Sequence, residues 1–175
     1  MKATGIVRRI DDLGRIVIPK EIRRTMRIRE GDSLEIYTNA NGEVIFKKYS
    51  PVGELYNLAG QYAEVLNRMS GLPVLIADRD HFIAAAGLTE KDILEKPISA
   101  QLEQLLEGRK NYLRDNAAPP LQPADNVESI EVCCPITMGS DVVGCVALLS
   151  GDAATEMHTK LTLAAASFLS SQLKS

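Results

Sequence analysis

The first fifty residues constrain the fold most, because they combine strong strand and turn signals with little apolar sequence. Two runs rich in β-branched residues, GIVRRI and RIVIP, flank the turn-forming tetrapeptide DDLG, which predicts a hairpin or a tight strand-loop-strand. Pro19 ends the second run, and proline suits the first turn of a helix, so residues 20–27 are expected to form about two helical turns. The alternating runs SLEIYT and EVIFKKY flank Asn41 and Gly42, a strong hairpin signal. The predicted order is ββαββ.

A unit of this size is not expected to be stable alone. Two short hairpins and a two-turn helix bury little apolar surface, and the first fifty residues contain no cysteine that could form a disulfide. We therefore expect the unit to share a core with a second copy of itself. A symmetric dimer of this kind would also present every surface of the unit twice, related by a two-fold axis.

The chain is acidic overall but basic at its start. Its 175 residues carry a formal net charge of -3, yet residues 1–50 hold 11 Lys and Arg against 7 Asp and Glu, and the remainder holds 9 against 16. The stretch 7–28 alone contains six arginines and one lysine. This asymmetry makes the basic part a candidate for an anionic partner, the alternative being an ordinary solvated face.

The predicted helix at 20–27 carries positive charge on one face. At 100° per residue that face comprises Lys20, Arg23, Arg24 and Arg27. Ile22 and Met26 fall nearly opposite and are expected to be buried. Like charges four residues apart destabilise an isolated helix by roughly 0.2–0.5 kcal/mol per pair, whereas duplex phosphates would favour them. Double-stranded DNA is therefore the predicted partner. Single-stranded or RNA recognition is less favoured, because the basic segment has no aromatic residue for base stacking.

The stretch ATGIVRRIDDLGRIVIPKEIRRTMRI, followed by GDSLEIYTN and VIFKKY, resembles the AbrB transition-state regulators. The resemblance covers residues 1 to about 50 and implies a swapped-hairpin fold, in which two chains interleave their hairpins into one DNA-binding dimer. The family's DNA-contacting arginines would fall on Arg8, Arg15, Arg23 and Arg24. Supporting charge would come from Lys2, Arg9, Lys20 and Arg27.

Two details qualify this resemblance. The helix of AbrB-like sequences often ends in a glycine where this chain has Arg27, so the helix is expected to run slightly longer here. The alternative role for each DNA-contacting arginine is a surface salt bridge, for instance that of Arg15 with Asp11 or Asp12.

Residues 50–53 are expected to link a first domain, 1–52, to a second, 53–175. Two amphipathic helices are predicted near the ends of the second domain. Their apolar stripes are expected to pack between subunits, the alternative being that both helices only cover one sheet. The stripes comprise Leu55, Leu58, Tyr62, Val65, Met69, Met157, Leu161 and Phe168.

Between those helices the sequence predicts two strands, a helix from Ser99 to Gly108, a proline-rich loop at 115–126 and an apolar hairpin around Gly139. This order is typical of an α+β sensor of GAF or PAS type. The hairpin resembles GAF domains in particular, in which a strand ending in Pro-Ile is followed by a polar turn and a hydrophobic-Gly-hydrophobic strand. GAF domains imply small-molecule binding or regulatory dimerisation, but their pocket residues vary too much to assign any here.

The order of the two modules resembles a family of sporulation transcription regulators of spore-forming bacilli. That resemblance implies a homotetramer built from two swapped-hairpin dimers, acting as both activator and repressor. We expect a cytoplasmic, nucleoid-associated protein, and the resemblance implies that it is located in the forespore. No run is apolar enough to span a membrane, and the first residues lack a signal-peptide core. No cofactor is predicted, and the sequence does not identify an effector.

Other function classes are less favoured. Asp78, Asp80 and His81 could form a metal or acid-base site, but a turn between two strands prefers such residues anyway. Cys133 and Cys134 have no nearby His to act as a base, and the common catalytic motifs are absent. The remaining alternatives are a sensor that does not bind DNA, and an antitoxin. An antitoxin usually has a disordered toxin-binding tail, whereas the second half here has enough apolar periodicity to fold.

Overall fold

The computed structural model describes residues 4–89, 93–94 and 96–173. The chain divides into two compact units, Met1–Tyr49 and Ser50–Ser175. Both mix helices with antiparallel sheets, and the predicted α+β class is confirmed. The helices are α1 (Lys20–Thr25), α2 (Tyr56–Ser70), α3 (Ala100–Glu107) and α4 (Glu156–Gln172). The strands are β1 (Leu34–Thr38), β2 (Val44–Lys48), β3 (Val74–Asp78), β4 (Phe82–Ala86), β5 (Tyr112–Leu113), β6 (Ile130–Met138) and β7 (Asp141–Leu149).

In the first unit, α1 is followed by the antiparallel hairpin of β1 and β2. Thr38 pairs with Val44 across the hairpin, and the side-chain oxygen of Asn39 accepts the backbone N–H of Asn41 at 3.0 Å and of Glu43 at 3.1 Å. Gly42 adopts a φ of 79°, which a residue without a Cβ tolerates best. The hairpin predicted from Asn41 and Gly42 is therefore confirmed.

The two strands predicted before α1 are absent from the described part of the single chain. Residues 4–19 form two segments without regular secondary structure around a turn, in which the backbone N–H of Asp11 bonds to the carbonyl of Arg15 at 3.0 Å. Val7 and Val17 are 85% and 73% exposed. The β-branched side chains favour strand geometry only where a neighbouring strand pairs with them, and no described strand of the same chain pairs with these segments. The prediction of ββαββ within one chain was therefore wrong.

The second unit is a five-stranded antiparallel sheet with the order β4-β3-β7-β6-β5. One face packs against α2 and α4 through residues such as Leu66 and Leu169. The other face packs against α3 and neighbouring loops through residues such as Leu102 and Ile98. Because both faces of the central strands are covered, β6 and β7 consist of nearly continuous apolar runs.

The local predictions for the second unit agree with its elements. Ser99 caps α3 by accepting the backbone N–H of Leu102 at 3.1 Å, and β6 and β7 form the expected hairpin, whose turn includes Gly139 at a φ of 61°. The two-residue edge strand β5 was not predicted. Val52, expected at the end of the linker, is fully buried in the core of this unit. None of the helices in the described residues has the length and apolar character required to cross a membrane.

Candidate nucleic-acid interface

Helix α1 carries the predicted basic face. Pro19 precedes it with a φ of -58°, and its carbonyl accepts the first helical hydrogen bond, from the backbone N–H of Arg23 at 3.0 Å. Lys20, Arg23 and Arg24 are exposed. Their spacing of i, i+3 and i+4 places them on one side of the helix. Ile22 is half-buried, so one side of α1 faces its own unit as expected.

The end of α1 corrects the expectation of a longer helix. The helix stops at Thr25 and Arg27 takes a left-handed conformation, with a φ of 52°. The backbone N–H of Ile28 bonds to the carbonyl of Arg23 at 2.7 Å, and that of Arg27 to the carbonyl of Arg24 at 3.3 Å. These two bonds define a Schellman motif, which terminates helices and normally has glycine at this position. Met26, expected to be buried, is 59% exposed.

The hairpin anchors this helix end through Lys48, which lies at the end of β2. The ammonium group of Lys48 donates to the carbonyl of Arg27 at 2.9 Å and lies 3.2 Å from a carboxylate oxygen of Asp32. Asp32 also accepts the backbone N–H of Arg29 at 2.8 Å. Burial alone would raise the pKa of Asp32, but the hydrogen bonds from Arg29 and Lys48 outweigh it and lower that pKa below 3.8.

The turn before α1 holds Arg15 in an ion pair. Asp11 accepts the Arg15 side chain through Nε at 2.8 Å, and 70% of the Arg15 side chain remains exposed. The other carboxylate oxygen of Asp11 accepts the backbone N–H groups of Leu13 at 3.0 Å and of Arg15 at 2.8 Å. The salt bridge considered as the alternative role of Arg15 is therefore present, but it uses only one edge of the guanidinium.

The remaining predicted DNA-binding residues, Arg8, Arg9 and Lys2, precede the turn in the sequence. Arg8 and Arg9 are exposed and lie in the segment before the turn. Among the described residues, the guanidinium of Arg8 makes only a long contact, 3.5 Å, with the carbonyl of Val7. Lys2 lies outside the described residues. The structure therefore gathers Lys20, Arg23 and Arg24 on one helix, and Arg8, Arg9, Arg15 and Arg27 lie on the segments that flank it.

Asp78, one of the groups considered for catalysis in the second unit, has a structural role. A carboxylate oxygen of Asp78 accepts the backbone N–H groups of Asp80 and His81, each at 2.7 Å, which closes the turn between β3 and β4. Among the described residues there is no group of three or more His, Cys, Asp or Glu that could hold a metal ion.

All three cysteines are free and buried. A hydrogen bond with Cys145, together with burial, raises the pKa of the Cys133 thiol well above its ordinary value. Burial and the neighbouring Cys145 raise the pKa of Cys134 to about 11. Because the thiolate is the nucleophilic form, these raised pKa values disfavour a nucleophilic role for the two thiols at neutral pH.

Sequence reasoning missed one buried polar pair. Glu131 is 1% exposed and its carboxylate lies 2.7 Å from Nδ1 of His158. The same oxygen accepts the backbone N–H of Thr155 at 3.2 Å. The pair joins β6 to the start of α4. An acidic residue inside the apolar run SIEVCCPITM was the available signal, because buried carboxylates require partners.

The apolar stripes of the second unit divide into two groups. Leu55, Leu58, Tyr62 and Leu161 are partly buried against the unit's own core. The exposed group comprises Val65 at 41%, Met69 at 61%, Met157 at 56% and Phe168 at 37%. Tyr62 and Phe168 stack with their ring centres 4.9 Å apart, which joins α2 to α4 at the edge of the exposed group.

A shallow pocket of about 200 Å³ lies at one end of the sheet in the second unit. It is lined by Arg79, Leu106, Glu107, Arg109, Asp141 and Val142. Its two basic and two acidic side chains balance in charge, so the lining indicates no ligand class.

Each of the two units matches a family of known proteins. The family described as "Stage V sporulation protein T C-terminal, transcription factor" matches residues 54–174, and that described as "Antidote-toxin recognition MazE, bacterial antitoxin" matches residues 7–53. The chain is similar to stage V sporulation protein T of Bacillus subtilis, with 48% identity over 177 residues that cover 99% of each protein. It is also similar to the transition state regulatory protein AbrB of the same organism, with 59% identity over 51 residues, covering 29% of this chain and 52% of AbrB.

A solved structure supports the fold of the second unit. The GAF domain of an Acinetobacter phosphoenolpyruvate-protein phosphotransferase superposes with a TM-score of 0.54 at 12% identity, covering 70% of this chain and 87% of that one. At this identity the likeness establishes the fold only. The GAF-like prediction for the second unit is confirmed at the level of fold.

Proposed function

This chain belongs to the family of stage V sporulation protein T transcription factors, and from that premise we propose that it regulates sporulation genes, as activator and repressor, by binding duplex DNA through its first unit. The observation that carries the proposal is the exposed basic face of α1. In the described part of the chain, neither Arg23 nor Arg24 pairs with a carboxylate through its side chain. Two unpaired guanidinium groups one residue apart suit closely spaced phosphates.

The DNA contacts are assigned to Arg8, Arg15, Arg23 and Arg24. The exposure of all four supports this assignment. Most of these contacts would neutralise phosphates and fix the orientation of the protein, and an arginine reaching a groove would add sequence or shape preference. Arg9, Lys20 and Arg27 would add supporting positive charge, as would Lys2.

A second copy of the chain would complete the first unit. Four apolar side chains before α1 are largely exposed in one chain: Val7 at 85%, Ile10 at 65%, Leu13 at 70% and Val17 at 73%. Exposure on this scale is costly for a soluble unit, at about 25 cal/mol per Å² of apolar surface. Strand pairing with the same segments of a second chain would cover these side chains and satisfy their backbone groups. A swapped-hairpin dimer with two sets of arginines results.

The second unit would join two such dimers into a tetramer. Support comes from the exposed apolar group on α2 and α4, which includes Met69 and Met157. Packing of these helices against those of a second copy would form an intersubunit helical bundle. The second unit would then set the relative orientation of the DNA-binding dimers. An effector could change that orientation only by binding the alternative arrangements with different affinity.

The test is fluorescence anisotropy with a labelled duplex over a salt series. About eight phosphate contacts per dimer predict a slope of log affinity against log salt of up to roughly -7. Arg23→Ala removes two of these contacts per dimer and should make the slope shallower by about 1.8. Lys160→Ala is the control, because it removes a positive charge from α4, outside the proposed interface. Equal slopes for both variants and the intact protein would contradict the assignment.

An antitoxin is the second candidate, because an antitoxin family matches residues 7–53. The transcription-factor role is favoured because residues 54–174 match a transcription-factor family and fold into a sheet with its own core. A disordered toxin-binding tail would have neither property. Stoichiometric copurification of a small toxin with the intact protein would support the antitoxin role instead.

We assign no catalytic activity to the chain, in keeping with relatives that are described as transcription factors. We propose that the protein acts in the cytoplasm on the nucleoid, as a regulator of chromosomal genes would, and the likeness to a sporulation protein supports the forespore as its site of action. A small-molecule effector of the second unit remains part of the proposal without an assigned chemical class.

A further inference from the structure

Asp11 lies beside Arg15, which is assigned to DNA binding. A negative charge is not expected at a surface that binds DNA. A carboxylate facing duplex DNA is repelled by the phosphates and lowers the local positive potential. Asp11 is nevertheless held firmly, because it accepts three hydrogen bonds. Two come from the backbone N–H groups of Leu13 and Arg15, and one comes from Nε of Arg15.

The contact with Nε determines which part of Arg15 is available to a ligand. The guanidinium has five N–H groups in one plane, and Asp11 occupies the one on Nε at 2.8 Å. The terminal Nη1 and Nη2 groups make no hydrogen bond or ion pair with the described residues. These two groups form one of the edges through which an arginine binds a phosphate or the O6 and N7 atoms of guanine with two parallel hydrogen bonds, and the other edge includes the occupied Nε.

The surrounding turn makes this arrangement rigid. The backbone N–H of Asp11 bonds to the carbonyl of Arg15, and the N–H of Gly14 bonds to the carbonyl of Asp11, both at 3.0 Å. Gly14 has a φ of 77°. The backbone and side-chain hydrogen bonds from Arg15 lower the pKa of Asp11 below its ordinary value, so the carboxylate is ionised at neutral pH. Asp12, the next residue, makes no hydrogen bond or ion pair with the described residues.

We propose that Asp11 is a positioning residue, which holds Nε of Arg15 and thereby presents the Nη1–Nη2 edge of that arginine to duplex DNA. The inference rests on the proposed function and adds Asp11 to the DNA-binding machinery as a group that acts through Arg15. It predicts that removing a negative charge at this position weakens DNA binding, which is the opposite of the simple electrostatic expectation.

The test compares intact protein, Asp11→Asn, Arg15→Ala and the double variant for binding to duplexes of about 30 base pairs, one of alternating dA and dT and one of alternating dG and dC. Asparagine keeps an oxygen acceptor for the two backbone N–H groups but lacks the charge that holds Nε. Asp11→Asn is expected to weaken binding to the preferred duplex about fivefold. In the Arg15→Ala background the same change should not weaken binding further. Asp12→Asn, the matched control, should leave affinity unchanged or slightly raise it.

A second measurement follows the side chain directly. In NMR spectra of the intact protein, the Nε–H signal of Arg15 is expected to be slowed in solvent exchange, and equally so in Asp12→Asn. In Asp11→Asn it should exchange rapidly, while the backbone amide spectrum shows that the fold is retained. An Arg15 Nε–H signal that exchanges equally fast in the intact protein and in Asp11→Asn would overturn the inference without any reference to DNA.

The outcomes separate this inference from the proposed function. If Arg15→Ala weakens binding but Asp11→Asn leaves it unchanged or tightens it, the positioning role is wrong and the DNA-binding assignment stands. If Arg23→Ala weakens binding and Arg15→Ala does not, the inference also fails, because Arg15 then makes no contact that Asp11 could support. If none of the arginine variants weakens binding, the proposed function itself fails.

Discussion

At the scale of single residues, Arg27 combines an unfavourable conformation with a useful charge. Its left-handed backbone, with a φ of 52°, forces the Cβ towards the following carbonyl oxygen, which costs about 1–2 kcal/mol for residues other than glycine. Lys48 stabilises the conformation by bonding to the Arg27 carbonyl. Strain of this kind often accompanies function, and here the function would be positive charge beside α1.

Replacing Arg27 by glycine should therefore change stability and DNA binding in opposite directions. Arg27→Gly is expected to raise the free energy of unfolding by about 1 kcal/mol and to weaken DNA binding through the loss of charge. Arg27→Ala is the control, because it removes the same charge and keeps the Cβ. It should weaken DNA binding similarly without the gain in stability. Urea unfolding at one fixed protein concentration and anisotropy titration measure the two effects, and equal stabilities of the two variants would contradict the strain argument.

Asp32 predicts a dependence of stability on pH. Its pKa in the folded protein is below 3.8, so the unfolded state binds more protons as the pH falls towards that value. The stabilisation is therefore complete above about pH 5 and is lost as the pH falls through the folded pKa. Asp32→Ala should lower the free energy of unfolding by about 1.5 kcal/mol at neutral pH, and the deficit should shrink towards about pH 3.

The control for Asp32 is Glu30→Gln, which removes an exposed carboxylate from the same turn. Urea unfolding curves across this pH range should show little difference between Glu30→Gln and the intact protein. A deficit for Asp32→Ala that stays constant down to the lowest pH would show that packing, and not the ionised carboxylate, supplies the stabilisation.

At the scale of elements, the pairing of β3 with β7 depends on one glycine. Gly144 pairs with Asp78, and a Cβ built at Gly144 would lie 2.3 Å from the carbonyl oxygen of Ala77. This distance is far below van der Waals contact, and the obstructing atom belongs to the backbone of a central strand. The hydrophobic-Gly-hydrophobic pattern of β7 is therefore a packing requirement of the sheet.

Gly144→Ala is expected to lower the free energy of unfolding by about 2–3 kcal/mol, because the two strands must separate to admit a methyl group. Gly151→Ala is the matched control, since a Cβ at that position meets no atom within 4 Å and its φ is not positive. It should change stability by less than about 0.5 kcal/mol. Thermal unfolding followed by circular dichroism would distinguish the two variants, and similar melting temperatures would contradict the close approach of β3 and β7.

At the scale of the whole molecule, the exposed apolar group on α2 and α4 predicts assembly. Met69→Lys places a charge in this group and should convert the proposed tetramer into dimers, as measured by sedimentation equilibrium. Binding to long DNA should weaken by about tenfold or more, because two linked dimers bind with a high effective concentration. Leu113→Lys is the control, since Leu113 is 49% exposed on the edge strand β5. Tetramers of Met69→Lys with unchanged affinity would contradict this role.

The sequence predicted most of the second unit because its signals are local. The cap of α3 joins Ser99 to Leu102, three residues away, and the β6–β7 turn joins adjacent strands. The same logic failed for residues 4–19, where β-branched residues indicated strands that find no partner among the described residues of one chain. The edge strand β5 was missed because two residues carry too little periodicity to be recognised.

The predicted interface likewise has features that local sequence specifies and features that it does not. The basic face of α1 follows from helical spacing alone, because residues three and four positions apart lie on one side of any helix. The end of the helix did not follow, since spacing cannot show that the backbone reverses its hand at Arg27. The role of Asp11 was visible only as one possible salt bridge, because the orientation of a guanidinium depends on the complete turn.

The sequence by itself determined the α+β class, the short basic helix, most strands and helices of the second unit, and the family. These features depend on periodicity, caps and turns that span a few residues. Only the tertiary structure decided that Lys48 closes the end of α1 across 21 residues, and that His158 partners the buried Glu131 across 27. Such contacts depend on the path of the whole chain, because burial creates the need for a partner and the fold determines which distant residue can supply it.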